Sequence, residues 1–185
     1  YYNRPDPRGL VRHYEEVAKA TDKPIVLYNI PSRTALDIPN DLLARLAQIN
    51  HIEAVKQAND DNLAHIDGLD LYAGNDNTFA QVLDMGGKGG ILVAAHVVGD
   101  EMRRLVDEPE NRAEIDAGLQ DAYEATGWHN PIPIKKACEL LGVKQVVPMH
   151  YGTFPALTGT PAKLRELVAP RGVQVLELKP GETAS

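Results

Sequence analysis

Two short apolar runs, Ile25-Val26-Leu27-Tyr28 and Ile52-Glu53-Ala54-Val55-Lys56, are bounded by turn-forming or polar residues and predict β-strands. Pro24 leads into the first run and Pro31 follows it, while Gln57-Ala58-Asn59-Asp60 closes the second. Between them, the apolar positions of residues 41–47 recur at helical spacing, with Asn40 or Asp41 as the expected cap and Pro39 just before it. Parallel strands joined by a crossover helix end on the same side of a sheet. Tyr28, Arg33 and Lys56 are therefore expected around one mouth.

The same alternation continues. A helix with Leu10, Tyr14, Val17 and Ala18 on its apolar face precedes the first strand, entered through the turn Asn3-Arg4-Pro5-Asp6-Pro7. After Lys56 the pattern predicts a short helix over 60–66, a strand over 69–73, a helix over 78–85 and a strand over 90–93. Helices are expected over 102–106 and 115–125, and another that starts at Asn130-Pro131-Ile132-Pro133 and runs to Leu141 is stopped by Gly142. The last stretch predicts a strand over 145–149, a helix over 161–168 capped by Thr160, and a strand over 173–178. Strands alternating with helices of about ten residues imply a parallel sheet with covered faces. Gly86-Gly87-Lys88-Gly89-Gly90 lacks the Gly-Lys-Ser/Thr ending of a phosphate loop and precedes a strand, which favours a tight helix-to-strand turn.

Composition narrows the function classes. The chain has 185 residues, 43% of them apolar, with a formal net charge of −7 and no basic run or aromatic ladder, which argues against nucleic acid as a partner. No apolar run approaches the roughly 18 residues of a membrane span, and nothing resembles a signal peptide, so the cytoplasm is the expected location. Cys138 is the only cysteine, leaving no internal disulfide framework. His13, His51, His65 and His96 follow neither His-x-His nor His-Glu-x-x-His spacing, so no metal site is expected from them.

A lysine that ends a strand is by itself ordinary. To act as a nucleophile at neutral pH its amine must lose its proton, and at the reference pKa only about 0.04% of lysine is neutral at pH 7. Apolar walls or a neighbouring cation lower that pKa, and Lys56 is approached through apolar residues. Tyr28 supplies a phenol to move protons, and Arg33 a planar fork for a carboxylate. Lysine, phenol and guanidinium together are the parts of a class I aldolase acting on a 2-keto acid.

The motifs that carry these residues resemble a known family. Tyr1-Tyr2-Asn3-Arg4-Pro5, Leu27-Tyr28-Asn29-Ile30-Pro31-Ser32-Arg33-Thr34 and Val55-Lys56-Gln57-Ala58 are similar to the dihydrodipicolinate synthases, within the pyruvate-dependent aldolase superfamily. Tyr72-Ala73-Gly74-Asn75-Asp76, Gly86-Gly87-Lys88-Gly89-Gly90-Ile91 and Asn130-Pro131-Ile132-Pro133-Ile134-Lys135 extend the resemblance to about residue 140. It implies the second half of a (β/α)8 barrel over 1–106, a helical segment over 107–142, and an added strand-helix-strand tail over 143–185. A complete barrel of this kind typically needs about 250 residues, and the start at a catalytic strand end suggests a fragment. The half expected to be missing includes the family's Gly-Thr-Thr-Gly-Glu turn.

By position, the resemblance implies that Lys56 forms a Schiff base with pyruvate and that Tyr28 relays protons. Tyr2 is implied to reach across a subunit interface to join that relay, Arg33 to bind carboxylate at the mouth, and Ile91 to offer its backbone carbonyl near pyruvate. The substrates implied are pyruvate and aspartate semialdehyde, with no cofactor, in a homo-oligomer of dimer or tetramer type. Asn75 departs from the family, which more often has aspartate there.

From about residue 137 the chain resembles instead the C-terminal end of a metallo-β-lactamase-fold hydrolase, in which His150 would be the last zinc ligand. A catalytic zinc needs about three protein ligands, and the His-x-His-x-Asp-His cluster is absent. Three readings thus stand: a pyruvate-dependent synthase, a zinc-dependent hydrolase, and an inactive fragment or assembly module. A tail strand covering an open edge of the half-barrel sheet is a further expectation.

Overall fold

The computed structural model describes residues 3–127, 131–152, 159–179 and 181–183. The chain divides into two compact units, Tyr1–Ile134 and Lys135–Ser185. The first unit is built on a parallel sheet whose strands β1 (Ile25–Asn29), β2 (Ile52–Gln57), β3 (Asp70–Ala73) and β4 (Gly89–Gly90) lie side by side in chain order. Consecutive parallel strands with covering helices are the wall of a (β/α) barrel, here four strands long.

Helix α1 (Pro7–Lys19) starts as its sequence dictates: the Asp6 carboxylate accepts from Gly9 N at 2.7 Å and Pro7 occupies the first turn. Helix α2 (Pro31–Thr34) is a single turn that ends at Ala35 in left-handed conformation, φ 56°. Helix α3 (Asn40–Leu46) buries Leu42, Leu43 and Leu46. Its cap is Pro39, not Asn40 or Asp41, because Asn40 already has helical geometry and Leu43 N bonds the Pro39 carbonyl at 2.9 Å.

Helix α4 (Phe79–Asp84) ends in the expected tight turn. Gly87 N bonds Val82 O at 2.8 Å and Gly86 N bonds Leu83 O at 3.0 Å, a paired closure that places Gly86 at φ 86°, which other residues rarely adopt. Helices α5 (Gly99–Asp107) and α6 (Arg112–Gly127) each run a turn or so beyond their apolar periodicity, burying Met102, Leu105, Leu119 and Tyr123. One core unites these helices with the strands through Leu10, Leu27, Leu43, Val55, Leu71 and Val82.

Two elements of the first unit are markedly shorter than their sequence predicts, as are both strands of the second. The stretch 60–66 forms only a 3-10 turn over Asp60–Asn62, since the Asn62 side chain is engaged elsewhere and Leu63 is extended at φ −64°, ψ 114°. Strand β4 stops at Gly90 although Ile91 N still bonds Ala73 O at 3.0 Å. Val93 then adopts helical geometry and a 3-10 turn over Ala94–His96 follows.

The second unit holds β5 (Gln145–Val146), α8 (Pro161–Val168) and β6 (Gln174–Val175), and the division between units falls within α7 (Ile132–Leu140). Gly142 ends α7 at φ 61°, and the Thr160 hydroxyl caps α8 by accepting from Lys163 N at 3.1 Å. Strand β5 pairs in parallel with β6, not with the four-stranded sheet. It ends well before Met149 because Pro148 has no N–H to continue a ladder.

Candidate active site

Strand register decides which side chains meet. Tyr28 of β1 pairs with Lys56 of β2, Lys56 pairs with Tyr72 of β3, and Tyr72 pairs with Gly89 of β4. Laterally paired residues point to the same face, so a ladder of tyrosine, lysine, tyrosine and glycine crosses the sheet near the strands' C-terminal ends. Lys56 Nζ stands 4.0 Å from the centroid of the Tyr28 ring. This is contact with the ring face, attractive for a cation. Tyr28 remains 43% exposed, open to a small ligand from the bare side.

Arg33 lies in the single turn α2 directly after β1 and is exposed; its guanidinium forms no ion pair among the described residues. Ile91, just past β4, is 52% exposed. Four of the five residues singled out by sequence therefore sit at the C-terminal ends of adjacent strands or in the segment that follows. Tyr2 lies outside the described residues.

Behind the ladder is a polar layer that strand spacing alone did not assign a role. Asn29 and Gln57, each one residue beyond Tyr28 and Lys56, point to the opposite face and are only 1% exposed. Asn29 Nδ2 donates to Gln57 Oε1 at 3.0 Å and to Asp37 Oδ1 at 2.9 Å, while Asn29 Oδ1 accepts from Ile38 N at 3.1 Å. Gln57 Oε1 also accepts from Asn59 N at 3.0 Å. Burial disfavours charge on Asp37, but amide donors from Asn29, Asn59 and Asn62 hold its carboxyl below the usual range. A polar residue at a buried strand position was the available signal, since such groups need partners.

A second carboxylate anchors the exit of β4. Asp76 is buried, and its Oδ1 accepts from Ala94 N at 3.0 Å. Burial pushes its carboxyl above the usual range, against the pull of the Ala94 and Val93 backbone and of His96 and Lys56. Gly74 is required where β3 leaves the sheet, because a Cβ there would lie 2.7 Å from both Ala58 Cβ and Gln57 O. Asn75 Nδ2 donates to Asp60 Oδ1 at 2.7 Å, so this amide joins two strand exits.

His150 is exposed, with φ 57°. Among the described residues no three His, Cys, Asp or Glu side chains converge to hold a metal ion, and no helix is long and apolar enough to cross a membrane.

The chain is similar to known proteins over most of its length. The model of the dihydrodipicolinate synthetase family matches residues 1–166, reaching into the second unit. The chain is 37% identical over 158 residues to a 4-hydroxy-tetrahydrodipicolinate synthase of Methanosarcina barkeri, covering 77% of this chain and 54% of that one. It is 38% identical over 156 residues to the enzyme of the same name from a Shewanella species. The chain thus spans about half the length of the curated relatives it matches.

Among solved structures, the dihydrodipicolinate synthase of Acinetobacter baumannii complexed with pyruvate superimposes with a TM-score of 0.71 at 26% identity, over 94% of this chain and 64% of that one. The lysine-bound synthase of Cyanidioschyzon merolae gives 0.71 at 31% identity, over 94% and 63%. The four parallel strands are therefore part of a (β/α)8 barrel wall, and the chain belongs to the dihydrodipicolinate synthetase family.

Proposed function

We propose that this chain carries the Schiff-base chemistry of a synthase that condenses pyruvate with aspartate semialdehyde to 4-hydroxy-tetrahydrodipicolinate. The observation that carries this reading is Lys56 Nζ held 4.0 Å over the Tyr28 ring, with Arg33 in the turn that follows the same strand. In its neutral form the Lys56 amine adds to C2 of pyruvate, and loss of water gives an imine. Removal of a C3 proton yields an enamine. Its C3 attacks the aldehyde carbon of aspartate semialdehyde, forming one C–C bond and an alkoxide that takes up a proton. Attack on the imine carbon by the condensed product's own amine returns the lysine.

Tyr28, at Lys56 and open to solvent, is suited to carry protons between these steps, and the guanidinium of Arg33, in no ion pair among the described residues, is suited to a substrate carboxylate. The carbonyl of Ile91 would face pyruvate from the exit of β4. Tyr2 would complete the proton relay in a neighbouring subunit of a dimer or tetramer, in the cytoplasm.

Borohydride reduction in the presence of pyruvate, followed by peptide mass mapping, tests the reading. A pyruvate adduct confined to the peptide bearing Lys56, and lost in Lys56→Ala, is expected. No adduct on the wild-type chain would leave the motif as scaffold.

A further inference from the structure

The carboxylate of Asp37 collects three amide donors from two segments, the end of β1 and the stretch that follows β2. Asn29 Nδ2 at the end of β1 and Asn59 Nδ2 beyond β2 reach its Oδ1 at 2.9 and 3.0 Å, and Asn62 Nδ2 in the 3-10 turn reaches Oδ2 at 2.8 Å. Asn29 also grips both backbone groups of Ile38, accepting from its N–H at 3.1 Å and donating to its carbonyl at 3.3 Å. The loop that leaves β1 at Asn29, bears Arg33 and returns at Ile38 is thereby closed at its base. Through Gln57 Oε1 the closure is tied to the residue that follows Lys56.

We infer that Asp37 is a positioning residue: it clamps the turn carrying Arg33 to the ends of the two strands carrying Tyr28 and Lys56, so that carboxylate recognition and Schiff-base chemistry share one fixed geometry. The inference rests on the proposed function for its consequence in catalysis, and on the hydrogen bonds alone for the clamp. A charged acceptor satisfied by three amides from the exits of two strands is a strong tie, since hydrogen bonds to charged groups are stronger than neutral ones. Buried amide networks also fail cooperatively when one member is changed. Arg33 itself takes no part, which leaves its guanidinium available to a ligand.

The test uses Asp37→Asn and the milder Asn62→Ala, which removes one tie from the rim and leaves Asn29 and Gln57 intact. Asp37→Asn sets an NH2 group against the amides that the carboxylate now accepts from. For Asp37→Asn, which disturbs all three ties, the half-saturating concentration of aspartate semialdehyde is expected to rise about tenfold. Pyruvate trapping at Lys56 is expected to stay within about twofold of wild type, and amide exchange over residues 30–38 to accelerate about tenfold. Asn62→Ala should move the same quantities in the same direction by about threefold.

Equal losses for both substrates together with unchanged exchange over 30–38 would overturn the inference, as would unchanged exchange in both variants. If the wild-type chain neither traps pyruvate nor condenses, the proposed function fails and the exchange data still decide the clamp. Should Asp37→Asn not fold, Asn62→Ala decides both readouts.

Discussion

The two faces of the four-stranded sheet carry different burdens. One face presents Leu27, Asn29, Val55, Gln57, Leu71 and Ala73, all 5% exposed or less, against a cover of helices. The other presents Val26, Tyr28, Lys56 and Tyr72, and there Val26 and Tyr28 are 48% and 43% exposed. Strands β1, β2 and β3 each contribute to both because side chains alternate along them. Stability and chemistry are thus separated by a single residue of register, and changes on one face should be read out differently from changes on the other.

The sharpest break in that contrast is Lys56→Ala. Loss of the whole pyruvate adduct is expected with thermal stability close to that of wild type, because Lys56 sits on the uncovered face; adduct elsewhere in the peptide map would refute its role. Tyr28→Phe keeps the ring beneath Nζ and removes only the hydroxyl. Trapping should survive within about twofold while condensation slows by about a hundredfold, the lower range for a positioned acid or base. Equal loss of both rates would assign Tyr28 to binding.

On the covered face the expectation reverses. Leu43→Ala removes a side chain with no exposure, and a loss of about 2–5 kcal/mol in chemical denaturation is expected, with Lys56 still trapping pyruvate in the fraction that remains folded. A destabilisation below about 1 kcal/mol would mean that this core tolerates a cavity.

The smallest effect concerns Asp76 and pH. Its folded-state pKa is raised above the unfolded value, so its contribution favours folding fully below about pH 4, the unfolded carboxylate range, and is lost as pH rises through the folded value. Asp76→Asn retains an oxygen for Ala94 N and removes the charge. The variant should match or exceed wild-type stability at pH 7 by no more than about 1 kcal/mol, with the difference shrinking toward pH 4. A variant clearly less stable at pH 7 would show that the second backbone contact outweighs the buried charge.

Much of this was legible in the chain itself. The alternation of short apolar runs with helical stretches gave the strand order and the common mouth, because crossover connections fix strand direction. Helix ends were readable where a side chain makes the cap, as at Thr160, or where a glycine must turn left-handed, as at Gly86 and Gly142. Element lengths were not. Strand β4 and the turn at Asp60–Asn62 end where long-range bonds intervene, Asp76 to Ala94 N in one case and Asp37 to Asn62 in the other.

By itself the sequence determined the reactive residue types, their spacing and the parallel order of the strands, since these follow from local periodicity and covalent connection. Tertiary structure alone decided that Lys56 lies over the face of Tyr28 and that Asn29 and Gln57 are locked behind them. It also decided that Asp37 gathers its donors from segments up to 25 residues away along the chain. Register between strands and partners across loops are set by which side chains can be buried and satisfied at once, and no local stretch contains that information.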